Sequence, residues 1–281
     1  MEAGASGMGL AVAKALASRG GWRLHLLDLR PPLEEVEHAT FHKTNVLDYD
    51  SLATTFQRIF DSDGRVDLVM ANAGLVERFN FYEQHPAGKP PPPPDQTVID
   101  INLKAVINTS WLAQHYFRQS TKSNNKNLVM TASVGGLYRC QVSPSYCAAK
   151  HGVVGLMRSI APGYYKQGVR VNAICPGTVK TNLLDATAWS TFPDEVFVPM
   201  EKVTETVLMI IDGHDVGGKP VKDSTAGVNG AGSNGTAEDS KLFGEAVELS
   251  GRNHYYRDQP AYCDAHMRKC MQMTEREVYE H

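Results

Sequence analysis

The chain has 281 residues, 42% of them hydrophobic, and a formal net charge of −3. That size fits one large α/β domain or two small ones, and the near-neutral charge offers no electrostatic footing for nucleic acid or an anionic membrane. No apolar run approaches the roughly 20 residues of a membrane helix, no signal peptide follows Met1, and five widely spaced cysteines suit a reducing compartment, so a cytoplasmic protein is expected.

In chain order, residues 24–28 read as a short strand, followed by strands near 41–46, 66–70, 127–131 and 169–174. Helix-period segments lie around them at 7–19, 49–60, 96–118, 145–166 and 201–211. Short apolar runs alternating with helices predict βαβ units, and hence an α/β fold: a doubly wound parallel sheet buried on both faces, in three layers. Ligands of such sheets sit at the carboxyl ends of the strands. The proline run Pro90–Pro94 reads as a surface loop ahead of the helix near Asp95. Residues 217–240, rich in Gly, Ser, Asn and Thr, read as a flexible insertion, after which a strand resumes at Ala246–Leu249. One domain over 1–251, interrupted by that insertion, and a charged, helix-prone tail over 252–281 are therefore expected.

Gly4-Ala5-Ser6-Gly7-Met8-Gly9 opens the first helix. Glycines here let the backbone approach a pyrophosphate, whose charge the helix N-terminus stabilises. Glycine clusters before helices are common, so this signal is weak alone. Asp28 ends the next strand about 20 residues on, where a carboxylate can accept hydrogen bonds from an adenosine ribose. It would repel a 2′-phosphate, and neither Ser6 nor Leu29 supplies a cation, so NAD is favoured over NADP. An ordinary strand-end turn explains Asp28 about equally well when it is taken by itself.

Tyr146-Cys147-Ala148-Ala149-Lys150 carries more weight. Tyr146 and Lys150, at i and i+4, project from one helix face, and Ser133 lies thirteen residues before the tyrosine at the end of the 127–131 strand. Together with Asn72-Ala73-Gly74 and Pro176-Gly177, the set is specific. From about Ala3 to Gly251, leaving out the insertion, the chain resembles the single-domain branch of the short-chain dehydrogenase/reductase family, with its Rossmann-like fold.

The resemblance implies an NAD(P)-dependent oxidoreductase interconverting a secondary alcohol and a ketone. Tyr146 is then the general acid/base, Lys150 and the nicotinamide lower its pKa, and Lys150 also holds the nicotinamide ribose. Ser133 steadies the substrate oxygen, and Asn102 anchors a proton-relay water. Asn45 and Val46 border the adenine, and Asn72, Ala73 and Gly74 mark a strand end beside the adenosine ribose. Pro176, Gly177, Val179 and Thr181 resemble the segment that fixes the carboxamide. Residues 182–200 become a substrate loop, whose Trp189, Phe192 and Phe197, with Leu137, Tyr138 and Val142, point to a hydrophobic substrate; plain core packing explains such residues about as often. A homodimer or homotetramer is implied as well.

The pattern departs from the family at the start. Glu2 and Ala3 stand where a Thr-Gly pair belongs, and the strand before it is missing or truncated. Three arrangements fit: a sequence that begins late, which the intact downstream positions favour; a natural short form that binds cofactor poorly; or another segment in the gap. The rival reading of function is a catalytically silent Rossmann-type binding or regulatory protein. Cys263, His266 and Cys270 have helical spacing but no fourth ligand, so no metal site is expected.

Overall fold

The computed structural model describes residues 1–32, 34–215, 219–220 and 241–275. Helix α1 (Gly7–Arg19) presents Val12, Ala13 and Leu16 as a buried stripe and ends at Gly20, whose φ of 74° few side chains tolerate. Strand β1 (Leu24–Asp28) follows and pairs in parallel with β2 (Ala39–Lys43), Leu24 opposite Ala39. Asp48 caps α2 (Tyr49–Asp63) by accepting from the Ser51 amide at 3.1 Å, and Gly64 closes it in the left-handed conformation.

The second sheet runs β3 (Leu68–Ala71), β4 (Lys126–Thr131), β5 (Val169–Pro176) and β7 (Ala246–Ser250) as parallel neighbours. Beyond β7 come β8 (Asn253–Tyr256), antiparallel, and the two-residue β6 (Lys219–Pro220), parallel to β8. Short helix α3 (Thr97–Ile99), a π-helical turn at Asp100–Lys104 and α4 (Ala105–Gln119) lead into β4, and α5 (Pro144–Tyr165) precedes β5. Side chains of α2, α4 and α5 form the core on one face of the sheets. Those of α1 and α7 (Met200–Asp212) form it on the other. Short helix α6 (Ala186–Trp189) lies on the segment between β5 and α7, and α8 (Ala265–Gln272) closes the described chain. This is the Rossmann-like three-layer α/β/α arrangement expected.

Several elements differ in extent. The strand expected at 41–46 is β2, 39–43, whose ladder with β1 closes on the Thr44 amide donating to the Asp28 carbonyl at 2.9 Å. The strand expected from residue 66 begins at Leu68, since the Val66 amide donates to Ser120 Oγ at 2.8 Å. The helix expected at 96–118 runs without a gap over 97–119 and widens to a π-helical turn at Asp100–Lys104. Residues 253–256, read as part of the helix-prone tail, return as an edge strand after Gly251 (φ 54°), with His254 and Tyr256 alternating toward the protein. The glycine-rich insertion lies outside the described residues except for Lys219–Pro220.

The two sheets meet through the first residues of the chain. Glu2 bridges Leu27 in parallel; the Leu27 amide donates to the Met1 carbonyl at 2.9 Å and the Glu2 amide to the Met70 carbonyl at 3.1 Å. This stub stands where a strand between β1 and β3 would end. Toward the amino ends of the two strands the space stays open as a cavity of about 680 Å³, lined by Leu24, His25, Leu68, Val69, Phe56 and Ile59, with Arg65 and Asp67 also on its wall. No other described segment enters it. The Glu2 carboxyl is buried, takes a hydrogen bond from Thr109, and leaves Oε2 without a partner among the described residues. Burial pushes its pKa up, against the Thr109 hydrogen bond.

Candidate functional site

Strand β4 delivers Ser133 to the carboxyl end of the sheet in extended conformation, and its Oγ accepts from the Gly135 amide at 3.1 Å. The tight turn Val134–Gly136 brings α5 against this point. A Cβ at Gly136 would lie 2.6 Å from the Lys150 carbonyl oxygen, and one at Gly135 would lie 3.3 Å from the Tyr146 ring. Only glycine at position 136 allows so close an approach, a requirement the sequence reading missed.

Pro144 opens α5, and Tyr146 and Lys150 then share the face turned to Ser133. Lys150 is 3% exposed; its Nζ donates to the Thr131 carbonyl at 2.8 Å and stands 5.7 Å from the centre of the Tyr146 ring. Burial lowers the Lys150 pKa to about 8. Burial also raises the Tyr146 pKa, while a hydrogen bond from Ser133 draws it down. Among the groups around the phenol, Ser133 opposes its desolvation.

Asn102 sits fully buried in the π-helical turn. Its Oδ1 accepts from the Leu75 amide at 2.9 Å and its Nδ2 donates to the Leu75 carbonyl at 2.8 Å, so both polar ends are committed. Asn72 is equally engaged: Thr131 donates to its Oδ1 at 2.8 Å and its Nδ2 reaches the Glu2 carbonyl at 3.3 Å. Between them, a Cβ on Gly74 would stand 3.2 Å from Asn102 Oδ1 and 3.6 Å from Lys150 Nζ. Ala73 lies beside Gly74 on the same segment. The loop after β3 therefore threads between Asn102 and Lys150.

The glycine turn closes the other side. A Cβ at Gly9 would lie 2.4 Å from the Ala3 carbonyl oxygen, and one at Gly4 would lie 2.8 Å from that of Met1. Gly7 adopts φ +53° and faces Thr181, whose Cβ lies 3.4 Å from where a Gly7 Cβ would be. Ser6 is extended with no side-chain cap, and Met8 follows in the first turn of α1. The Asp28 carboxylate accepts from the Ala5 amide at 3.2 Å and the Leu29 amide at 2.7 Å, tying the turn to the end of β1. Asn45 is exposed with its Oδ1 taken by the Leu47 amide, and Val46 packs on the core. A cradle of tight glycines at a helix N-terminus, with a carboxylate at the next strand end, fits a dinucleotide.

Pro176 ends β5, and the Gly177 amide donates to the Leu249 carbonyl at 2.9 Å. Val179 is buried in the core beside α7. The Thr181 carbonyl accepts from the Trp189 indole at 2.8 Å. Trp189, Phe192 and Phe197 pack on one another with ring centres 5.8–6.3 Å apart. Of the other apolar residues expected at the substrate, Leu137 is half-buried, Val142 is 84% exposed, and Tyr138 is polar in use: its hydroxyl donates to Glu248 at 3.0 Å and accepts from Arg257 at 2.8 Å.

A sequence profile of the family described as short chain dehydrogenase matches residues 2–190. The short-chain dehydrogenase/reductase prx7 of Penicillium rubens is 45% identical over 278 residues, covering 95% of this chain and 96% of the relative. Human 15-hydroxyprostaglandin dehydrogenase [NAD(+)] is 31% identical over 194 residues, 65% of this chain and 68% of that one. Among solved structures, ligand-free aldohexose dehydrogenase of Thermoplasma acidophilum superposes with a TM-score of 0.62 at 23% identity, over 74% of this chain and 84% of its own, a likeness of fold. The chain belongs to the short-chain dehydrogenase/reductase family, oxidoreductases that act on CH–OH groups with NAD(P).

Proposed function

We propose that this chain interconverts a secondary alcohol and a ketone on a hydrophobic small molecule, with Tyr146 as the general acid/base. The observation that carries the reading is the convergence of Tyr146, Lys150 and Ser133 where β4 and α5 meet, with Gly74 and Asn102 alongside. In oxidation the Tyr146 phenolate takes the hydroxyl proton of the substrate, and in reduction the phenol returns it. Ser133 Oγ donates a hydrogen bond to the substrate oxygen and steadies the charge on it. Lys150, buried and bonded to Thr131, holds the nicotinamide ribose. A relay through Asn102 would use its backbone carbonyl, since its side chain is committed to Leu75.

A nicotinamide dinucleotide held by Gly4, Ser6, Gly7, Met8 and Gly9 supplies the hydride acceptor or donor. NAD is the preferred form on this reading, because the Asp28 carboxylate stands at the end of β1. The name of the 31% identical human relative carries NAD(+) too. The aromatic cluster of Trp189, Phe192 and Phe197 supports an apolar substrate, and the exposed Trp111 and Ile107 of α4 support pairing of two copies.

The test is Tyr146→Phe in NADH-linked reduction of acetophenone and oxidation of the matching alcohol. A loss of about 10²–10⁴-fold in kcat is expected, with NADH binding retained. Burial raises the Tyr146 pKa, so the oxidation rate of the unmodified chain should climb as pH rises toward it, while reduction, which needs the phenol, holds over the same range. Turnover by the variant within twofold of the unmodified chain would sink the reading.

A further inference from the structure

Helix α5 carries both Tyr146 and Lys150, so its first turn sets where the phenol lies. The residue before it, Ser143, makes no side-chain cap. The cap comes instead from across the site: Glu77 Oε2 accepts from the Ser145 amide at 2.8 Å and from the Tyr146 amide at 3.0 Å. Two of the orphan donors of the helix are thereby satisfied by one carboxylate, which also lies favourably at the positive end of the helix.

Glu77 is also the last of three pins along the loop after β3. Asn72 is fixed to Thr131, Leu75 is fixed at both backbone groups to Asn102, and Glu77 is fixed to α5. The remaining Glu77 oxygen, Oε1, is buried and has no partner among the described residues. A neutral, shorter cap would avoid enclosing that acceptor, whose burial is unfavourable. What the long carboxylate gains is reach, from the loop beside Gly74 to the backbone of the acid/base residue itself.

We propose that Glu77 is a positioning residue, holding the first turn of α5 so that the Tyr146 hydroxyl stays in register with Ser133 and with the loop after β3. It touches no substrate and acts through Tyr146, so this inference rests on the reading of Tyr146 as the acid/base. Glu77→Ala releases two amides at the point where Tyr146 leaves the loop. A displacement of about 1 Å at a reacting group can change rates by about 10²-fold, so kcat is expected to fall about 10- to 100-fold with KM for NADH unchanged. The Ser133 hydrogen bond draws the Tyr146 pKa down, so loosening that register moves the ionisation of Tyr146 to higher pH. Glu77→Gln keeps an oxygen for both amides and should restore most of the rate and the original ionisation.

The experiment measures acetophenone reduction by NADH, together with ultraviolet difference titrations of tyrosine ionisation against Tyr146→Phe, for Glu77→Ala and Glu77→Gln. The titration needs no substrate. A lowered kcat, an upward-shifted Tyr146 ionisation in Glu77→Ala, and recovery in Glu77→Gln support the role. A Glu77→Ala chain that melts lower but, when folded, keeps its kcat and its Tyr146 ionisation overturns it, and so does a Glu77→Gln chain as impaired as Glu77→Ala. If Glu77→Ala fails to fold, the Glu77→Gln titration and rate decide alone: both near those of the unmodified chain support the proposal, and a shifted ionisation with a rate loss overturns it. If Tyr146→Phe turns over as fast as the unmodified chain, the reading of function fails first. If Tyr146→Phe is inactive and Glu77→Ala is unaffected, only the present inference fails.

Discussion

Strand β5 is buried along all eight residues and pairs on both sides, with β4 and β7. Strand β1, in the other half of the molecule, pairs fully only with β2 and reaches β3 through Met1 and Glu2 alone. The proposed catalytic side chains stand on the first kind of support: Ser133 follows β4, and α5 packs over β4 and β5. The glycine cradle and Asp28 stand on the second. The half proposed to do proton chemistry is thus fixed by a continuous ladder, whereas the half proposed to hold the adenosine is a two-stranded ribbon, an arrangement of marginal stability by itself.

Hydrogen exchange should show this contrast most strongly. Amides of β1 and β2 are expected to open at a free energy at least about 2 kcal/mol below those of β4 and β5. Equal protection in the two halves would mean that helices α1 and α2 lock the ribbon as firmly as a ladder would, and the comparison would collapse.

A smaller effect is expected at the cradle. Asp28→Asn keeps an oxygen for the Ala5 amide but removes the charge, and should narrow any preference for NADH over NADPH by about 10-fold, or about 1.4 kcal/mol. An unchanged ratio of affinities would show that Asp28 serves the turn and not the choice of cofactor.

The smallest effect lies at the junction between the halves. Burial raises the Glu2 pKa above its unfolded value, so ionisation favours the unfolded chain and stability falls as pH rises above the ordinary carboxyl range. Glu2→Gln should therefore match the unmodified chain at acidic pH and melt roughly 2–4 °C higher at neutral pH, a gain of about 1 kcal/mol. A variant that melts lower at neutral pH would show that the Thr109 hydrogen bond outweighs the cost of burying the charge.

How far the sequence reaches depends on how local each feature is. The alternation of strands and helices is written in runs of a few residues, and the helix read at 7–19 matches α1 to the residue. Tyr146 and Lys150 sit one helical turn apart, so their common face follows from helix geometry alone. Glu77 is different: it meets Tyr146 across 69 residues, and nothing in Val76-Glu77-Arg78 distinguishes a distant cap from a solvated charge. The return of β8 was hidden for another reason, since Asn253–Tyr256 is too short to show a period and lies next to a charged tail. The committed side chain of Asn102 could not be foreseen either, because a π-helical turn has no compositional mark. The aromatic residues of 182–200 were visible, but their packing on one another was not, since apolar side chains read alike whether they meet a ligand or each other.

That π-helical turn, Asp100–Lys104, makes the chain unusually sensitive to length at one point. It holds one residue more than an α-helical turn would between the same two ends. Removing Leu103 or Lys104 would let α3 and α4 merge into a regular helix, yet Asn102 and α3 before it would rotate by about 100° relative to α4. Asn102 would swing off Leu75, and the loop beside Gly74 would lose its middle anchor. Substitutions of the other residues of this turn leave that anchor in place, whereas a single codon deletion after Asn102 would leave a well-formed helix and a displaced anchor.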